Sequence, residues 1–216
     1  MKSKHLVFLV VGLILIIDQA TKIFIKTNYP VGLISDWGPI DIYFIENKGM
    51  AFGMEFGGDI GKIILTLFRI VALFFIGKII FNLLKNEAPK TMLTAFSMIF
   101  VGAMGNIVDS VFYGVIFSDS GYYDAAQLFP EEGGYAPVLM GHVVDMIHFD
   151  VRYPMWVPYF KGQIIFPPIF NIADAAITSG VGLLIVKQKK FFNPENGFTI
   201  MGEKNSQKEE IEENQA

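Results

Sequence analysis

Long apolar runs, separated by shorter polar stretches, dominate the hydrophobic pattern of the chain. Four of these runs reach the ~20 mostly apolar residues that a helix needs to cross a bilayer. They cover residues 6–25, 63–84, 91–117 and 164–186 of the 216. A soluble domain of this size would not supply four such runs. The pattern therefore predicts an integral membrane protein with four transmembrane helices.

The first run must also be compared with a cleaved signal peptide, because Lys2 and Lys4 precede its apolar part. That part is followed by the polar sequence DQATK at residues 18–22. A signal peptide would have small residues at a cleavage site there instead. We therefore interpret the first run as a membrane span that is retained.

Two stretches between the spans alternate apolar and polar residues, which is typical of half-buried β-strands. They are residues 40–45 (IDIYFI) and 146–152 (MIHFDVR). The predicted fold class is thus an all-α integral membrane protein with four transmembrane helices and a small outer-face (periplasmic) β-element. Nearby aromatic residues suit the headgroup zone of a membrane: Trp37, Tyr43, Trp156 and Tyr159.

Lysines near the ends of the spans predict the orientation of the chain, because cytoplasmic ends carry an excess of Lys and Arg. Both termini and the 85–90 link are lysine-rich, whereas the loops 26–62 and 118–163 are long and mix acids with bases. We expect cytoplasmic termini and outer-face loops. Residues 1–190 then form one membrane domain, and the acidic tail 202–216 is expected to be disordered.

The overall composition narrows the function further. Hydrophobic residues make up 52% of the chain, and the 17 Lys and Arg against 21 Asp and Glu leave no basic surface for nucleic acid. With no cysteine, the chain has no disulfide and no thiolate nucleophile. The three histidines, His5, His142 and His148, lack metal-ligand spacing. The sequence therefore offers no Cys/His set of metal ligands.

Ionisable residues within the predicted spans are the informative exception, since a charge at membrane depth is costly and is usually paired or functional. Asp18 and Lys22 have the i,i+4 spacing of a helix ion pair. Asn106 and Asp109, three residues apart, share a helix face beside a small-residue seam at Gly102 and Gly105. A purely structural role is an open alternative for both pairs.

Two further acids come from separate elements near the outer boundary of the membrane. Asp174 lies three residues after Asn171 near the predicted start of span four, behind Pro167 and Pro168, and Asp145 lies in an apolar sequence. If two carboxylates approach closely, repulsion keeps one of them protonated. The ionised one can then deprotonate water while its partner polarises a carbonyl. Asp145 and Asp174 are a candidate acid–base pair.

The chain resembles the bacterial lipoprotein signal peptidases, or signal peptidase II, in five blocks that follow one another in the family's order. These blocks are residues 18–22 (DQATK), 47–53 (NKGMAFG), 102–109 (GAMGNIVD), 143–145 (VVD) and 170–177 (FNIADAAI). Each block alone is weak. Five in order on a four-span frame make a strong match that covers most of the chain.

The resemblance implies an aspartyl endopeptidase of the bacterial cytoplasmic (inner) membrane. Such an enzyme removes the signal peptide of a prolipoprotein immediately before the diacylglyceryl-modified cysteine. It works in contact with membrane lipid and needs neither a metal nor a cofactor. Cyclic peptides such as globomycin inhibit it. The resemblance makes Asp145 and Asp174 the catalytic pair near the outer face. Substrate-binding or site-orienting roles are implied for Asp18, Lys22, Asn47, Gly49, Ala51, Phe52, Gly53, Asn106, Asp109 and Asn171.

The sequence departs from the family pattern at three places. Ser110 follows Asp109 where the family usually has Arg, so the role of that Arg is dispensable or is supplied by Arg69 or Arg152. The segment 118–141 lengthens the connection to Asp145, and we expect a surface loop whose aromatic residues form a lid over the substrate groove. The acidic tail has no assignable role.

Two other classes of protein remain as alternatives. A transporter or proton channel would use intramembrane carboxylates, but it predicts acids distributed through the depth of the bundle. A non-catalytic membrane scaffold gives no reason for two acids beside asparagines in a small-residue seam.

Overall fold

The structure is a computed structural model that describes residues 2–48 and 58–191. Its helices are α1 (Ser3–Asn28), α2 (Gly58–Lys85), α3 (Lys90–Val108), the short α4 (Gly114–Ile116) and α5 (Ile172–Phe191). Its strands are β1 (Gly32–Asp36), β2 (Asp41–Asn47), β3 (Val143–Arg152) and β4 (Ile164–Phe170). Outside the described residues lie the tail 202–216 and the predicted site residues Gly49, Ala51, Phe52 and Gly53.

Within residues 2–48 and 58–191, three helices are long and apolar enough to cross a membrane: α1, α2 and the continuous helix Lys90–Ile116. They coincide with the first three predicted spans. The third continues from α3 through a π-helical turn, Asp109–Tyr113, into α4. Large apolar side chains on the outside of α1 and α2 are exposed, among them Phe8, Phe68, Phe74 and Phe81. Such faces suit contact with lipid rather than water.

The fourth apolar run does not begin as a helix, so the prediction of a span from residue 164 is wrong at its start. Residues Ile164–Phe170 form β4, and α5 begins only at Ile172. β4 is the last strand of the sheet and pairs only with β3. An edge strand tolerates Pro167 and Pro168, which cannot donate hydrogen bonds to a neighbour. The four-span count stays a prediction, because α5 is not among the helices that meet the length and hydropathy requirements for a span.

The four strands form one antiparallel sheet in the order β1-β2-β3-β4. β2 and β3 confirm the two strands predicted from alternation, whereas β1 and β4 were not predicted. Ile45 pairs with Asp145, and Asn47 pairs with Val143. Since side chains two residues apart share a face of a sheet, this register brings Asn47 beside Asp145.

The helices converge on α3, which packs against α1, α2 and α5. Two glycines of α3 allow this close approach, as the small-residue seam predicted. A Cβ atom on Gly102 would lie 2.3 Å from the carbonyl oxygen of Ala173 in α5. A Cβ atom on Gly105 would lie 2.6 Å from Oδ2 of Asp18 in α1. Larger residues would therefore push apart the helices that carry the polar residues.

Residues 118–141 form the predicted surface loop, and this segment folds back over the end of the third helix. Its backbone N–H groups reach carbonyl oxygens that have no partner within the helix. Ala136 donates to Gly114 O at 2.9 Å, and Phe129 donates to Ile116 O at 2.7 Å. Gly141, the last residue of the segment, donates to Ser110 O at 2.9 Å. The segment thereby satisfies the helix end that carries Asp109.

Candidate active site

Asp145 and Asp174 line the same cavity, which has a volume of about 640 Å³. Asp145 lies on β3 and is 4% exposed, and Asp174 lies in the first turn of α5. The wall of the cavity is mostly apolar, with aromatic rings from the β3–β4 hairpin. Its polar residues include Asn47, Arg69 and Asn106. The fold thus brings together two acids that are 29 positions apart in sequence.

Asn171 links the two acids directly. Its side-chain Nδ2 donates to Asp145 Oδ1 at 2.8 Å. Its Oδ1 accepts the backbone N–H of Asp174 at 2.9 Å, as in an N-terminal helix cap. The backbone N–H of Asn171 lies 3.4 Å from Asp174 Oδ2. One buried amide therefore sets the start of α5 and the orientation of Asp145.

Asn106 and Asn47 each donate a hydrogen bond to one of the two acids. Asn106 Nδ2 donates to Asp174 Oδ1 at 2.8 Å, and Asn47 Nδ2 donates to Asp145 Oδ2 at 3.1 Å. Asn106 Oδ1 accepts from Lys22 at 2.9 Å and from Asn171 at 3.1 Å. Because its oxygen already faces two donors, the Asn106 amide has its nitrogen directed at Asp174.

Behind Asn106, Lys22 joins α1 to the site. Its Nζ lies 2.8 Å from Asp109 Oδ2 and 3.1 Å from Asp18 Oδ2, and all three side chains are almost fully buried. This confirms the predicted Asp18–Lys22 pair. Asp18 Oδ1 also accepts the N–H of Ala173 at the start of α5, at 2.9 Å. We call Lys22, Asp18, Asp109, Asn106 and Asn171 the Lys22 network; burial of such charges is tolerated only when they are fully paired.

Two supporting residues were missed by sequence reasoning. Gln19 donates to Asp109 Oδ1 at 2.9 Å and to Asp18 Oδ2 at 3.1 Å. Tyr113 in turn donates its hydroxyl proton to Gln19 Oε1 at 3.2 Å. Gln19 lies inside the DQATK block, and Tyr113 comes one helical turn after Asp109. Their positions on these helix faces were the signals that could have identified them.

The departure at Ser110 is explained by the same contacts. Asp109 already has Lys22 and Gln19 as partners and accepts the N–H of Val144 at 3.4 Å. Ser110 is buried and donates to Asn106 O at 2.9 Å, so an arginine is not needed to neutralise Asp109.

The two arginines proposed as substitutes lie in different surroundings. Arg69 lines the cavity and interacts electrostatically with Asp174 and Asp145. Arg152 is exposed and pairs with Asp150 at 2.8 Å. Of the two, only Arg69 belongs to the cavity.

Burial is the main influence on the protonation of Asp145. Together with the nearby charge of Asp174, burial raises the pKa of Asp145 to about 7. The hydrogen bonds from Asn47 and Asn171 oppose this increase. Asp145 therefore keeps its proton up to nearly neutral pH.

The predicted site residues differ in whether they line the cavity. Asn47, Asn106, Asp145 and Asp174 line the cavity, whereas Asp109 is fully buried and is not part of its wall. No residue of segment 118–141 lines the cavity either, so the structure gives no support to the predicted lid. In residues 2–48 and 58–191, no three His, Asp or Glu side chains are arranged to hold a metal ion.

The arrangement does not favour a transporter or proton channel. That alternative predicts acids spread through the depth of the bundle. Asp18, Asp109, Asp145 and Asp174 instead belong to one continuous set of hydrogen bonds and ion pairs. Such a set holds two carboxylates in place beside a single cavity.

Comparison with known proteins agrees with the resemblance seen in the five sequence blocks. Residues 10–190 match the family model for signal peptidase (SPase) II. A lipoprotein signal peptidase of Porphyromonas gingivalis (strain ATCC 33277) is 43% identical over 183 residues, which cover 81% of this chain and 78% of the relative. One from Amoebophilus asiaticus (strain 5a2) is 35% identical over 188 residues, covering 82% and 75%.

Among solved structures, the chain is similar to a bacterial membrane enzyme determined by the in meso method. The two share 26% sequence identity with a TM-score of 0.54, and the match covers 87% of this chain and 90% of the other. A second structure with the same description has a TM-score of 0.52. The apolar helices with their small antiparallel sheet are thus the fold of a membrane enzyme.

Proposed function

Because the chain belongs to the signal peptidase II family, and is thus a membrane protease that processes lipoproteins, we propose that Asp145 and Asp174 make it an aspartyl endopeptidase. It cleaves the signal peptide from diacylglyceryl-modified prolipoproteins immediately before the lipid-bearing cysteine. The observation that carries this proposal is the contact of Asn171 with both acids on the wall of one cavity.

The chemistry follows from one shared proton. Asp145, with its raised pKa, holds the proton and donates a hydrogen bond to the scissile carbonyl oxygen. Asp174, ionised, removes a proton from a water molecule, whose oxygen attacks the carbonyl carbon. Asp145 transfers its proton to the carbonyl oxygen in the same step, so that a tetrahedral diol forms. The proton on Asp174 then moves to the leaving cysteine nitrogen as the C–N bond breaks. The diol collapses to a carboxylic acid and returns a proton to Asp145.

The supporting residues hold the pair in this arrangement. Asn106 and Asn47 direct amide hydrogens at the outer oxygens of Asp174 and Asp145, which fixes both carboxylates without adding charge. Lys22, Asp18 and Asp109 fix Asn106 and the start of α5 from within the bundle. Such preorganisation lowers the cost of placing water and peptide together.

The membrane arrangement is part of the proposal. α5, 20 residues long, would form the fourth span within a single domain of residues 1–190, with both termini cytoplasmic and the cavity near the outer face. A substrate with an apolar signal helix then enters sideways from the lipid. Its scissile bond reaches the cavity where water is available. Globomycin-type cyclic peptides would compete for the same cavity.

A cleavage assay with purified enzyme and a lipid-modified prolipoprotein tests the proposal. Asp145→Asn and Asp174→Asn should each reduce cleavage by at least ~10²–10⁴-fold, the contribution typical of a general acid or base. Asp150→Asn is the matched control, because Asp150 lies on the same strand and pairs with exposed Arg152. It should retain the wild-type rate within twofold.

Mass spectrometry of the products locates the cut. Cleavage immediately before the modified cysteine, unaffected by a chelator, is expected; a substrate without the diacylglyceryl group should be cleaved poorly. Full activity in either Asp variant, or inhibition by the chelator, would contradict the mechanism.

A further inference from the structure

A second buried lysine lies outside the Lys22 network. Lys26, in the last turn of α1, is fully buried, and its ammonium pairs with Glu46 of β2. It also lies 2.6 Å from Ser120 Oγ. Three aromatic rings surround it, with centroids 5.0, 5.4 and 5.8 Å from Nζ, which is the range of cation–π contacts: Tyr135, Phe117 and Phe44.

Glu46 is held by a second partner. Its Oε2 lies 3.5 Å from Nδ1 of His142. Burial alone would raise the pKa of Glu46, but His142 and Lys26 together hold that pKa below its ordinary value. The backbone N–H of His142 donates to the Tyr135 hydroxyl at 2.6 Å. We call Lys26, Glu46, Ser120, Tyr135 and His142 the Lys26 clamp.

Segment 118–141 closes this clamp. It supplies Ser120 and Tyr135, and its backbone also binds the end of α1. Ala126 N–H donates to Lys26 O at 3.0 Å, and Gly121 O accepts the N–H of Val31 at 2.9 Å. The segment that lengthens this chain relative to the family pattern is therefore fastened to α1 and β2, away from the cavity.

β2 connects the clamp to the active site. Adjacent residues of a strand project to opposite faces, so Glu46 and Asn47 lie on opposite sides of β2. Glu46 faces Lys26, whereas Asn47 donates its amide hydrogen to Asp145. Asn47 is also the last residue of the strand. Glu46, beside it on the opposite face, therefore anchors this end of β2 through its side chain.

We infer that the Lys26 clamp positions Asn47 against Asp145, and that Lys26 and Glu46 are positioning residues for the reaction. This inference rests on the proposed function, because it assigns the clamp an effect on the catalytic pair. Segment 118–141 then serves as a brace for the active site. Loosening Glu46 lets the end of β2 move and weakens the hydrogen bond from Asn47 to Asp145.

Weakening that hydrogen bond has a recognisable kinetic signature. The bond from Asn47 favours the ionised form of Asp145 and opposes the effect of burial. Its loss should raise the pH at which Asp145 loses its proton and reduce kcat with little change in KM. A general loss of structure would lower the amount of active enzyme without moving the pH profile.

A double-mutant cycle tests the inference with the full chain and a lipid-modified prolipoprotein. Lys26→Met/Glu46→Gln removes both buried charges together, so neither is left without its partner. We expect about a tenfold loss of kcat, a high-pH limb moved upward, and less than a twofold further loss when Asn47→Ala is already present. The control Asp150→Asn/Arg152→Gln removes an exposed ion pair from β3 and should change kcat less than twofold.

The inference would be overturned if the clamp variant caused the same roughly tenfold loss of kcat in the Asn47→Ala background as in the wild type. It would also be overturned if the pH profile of the clamp variant did not move. If the double variant does not fold, Ser120→Ala and Tyr135→Phe each remove one hydroxyl of the clamp and enter the same cycle. The proposed function fails separately, through full activity of Asp145→Asn or Asp174→Asn. If the Asp variants are inactive but the effects of the clamp variant and Asn47→Ala are independent, the positioning role of the clamp is rejected and the proposed function stands.

Discussion

Lys22 and Lys26 lie one turn apart on α1, and both are fully buried, but their surroundings differ in kind. Lys22 contacts two carboxylates and an amide, all from membrane-spanning helices. Lys26 contacts one carboxylate of the sheet, a hydroxyl and three aromatic rings. The polar set extends to the proposed catalytic pair from within the bundle, and the aromatic set lies on the side of the sheet. One helix thereby supports the active site from two sides.

The largest difference is expected when each cation is removed. Lys22→Met leaves Asp18 and Asp109 buried without their cation, and breaking a buried pair of this kind costs ~3–5 kcal/mol of unfolding free energy. Lys26→Met leaves only Glu46, which retains His142. Thermal unfolding in detergent should therefore show the greater loss of stability for Lys22→Met. Equal losses would contradict the distinction between the two sites.

The two regions should also respond to pH with opposite sign. Burial raises the pKa of Asp145 from 3.8 to about 7, so its stabilising contribution is complete below pH 3.8 and is lost as the pH rises through 7. Wild-type protein should lose stability relative to Asp145→Asn between about pH 4 and 7. The expected size is a few kcal/mol.

Glu46 gives the matching comparison. Its pKa is lowered from 4.5, so its contribution is present above that pH and is lost as the pH falls through the folded-state value. Glu46→Gln should therefore differ most from wild type near neutral pH and least in acid. Unfolding midpoints of the wild type, Asp145→Asn and Glu46→Gln, measured across pH 3 to 9, test both predicted pH dependences. Curves of midpoint against pH that run parallel for the three proteins would contradict the predictions.

Asn171 tests how closely the polar side is connected to the chemistry. Asn171→Ala removes the cap of α5, worth ~0.5–2 kcal/mol, and the donor to Asp145. Misplacement of a reacting group by about 1 Å typically costs about 10²-fold in rate. Asn28→Ala is the control, because Asn28 is exposed and bonds only locally on α1. A rate near wild type for Asn171→Ala would show that the link between the acids is not needed.

The smallest effect separates two arginines. Arg69→Gln removes a cation beside both acids and should reduce cleavage about tenfold, as loss of ~1.4 kcal/mol of transition-state stabilisation would do. Arg152→Gln removes an exposed partner of half-buried Asp150 and should change the rate less than twofold. Initial rates under identical conditions suffice. The reverse order would place the missing family arginine's role at Arg152.

Much of the fold follows from patterns that are local in sequence. Apolar length marks the first three spans, and alternation marks β2 and β3, because each pattern has its own period. The same measures fail for residues 164–170, since a short apolar run is equally compatible with a strand. Pro167 and Pro168 do precede helix α5, as predicted, but they lie in β4 at the edge of the sheet, which the sequence pattern did not indicate.

The residues of the site also differ in whether they could be predicted from the sequence. Asp145, Asp174 and Lys22 stand in sequence blocks with a recognisable resemblance, so they were predictable. Lys26 was not, because its partners come from β2 and from a segment about ninety positions later, and no local spacing reveals them. The position of segment 118–141, which does not line the cavity, has the same origin, since the docking of this segment depends on tertiary contacts.

The most direct measurement is a comparison of cleavage rates for Asp145→Asn, Asp174→Asn and the double variant against the same lipid-modified prolipoprotein. Residues that act as one unit lose nearly all activity when either is changed, and the second change adds little. The account predicts the same residual rate for all three proteins, with Asp150→Asn near wild type. Full activity in either single variant, or a double variant whose loss is the product of two independent losses, would contradict it.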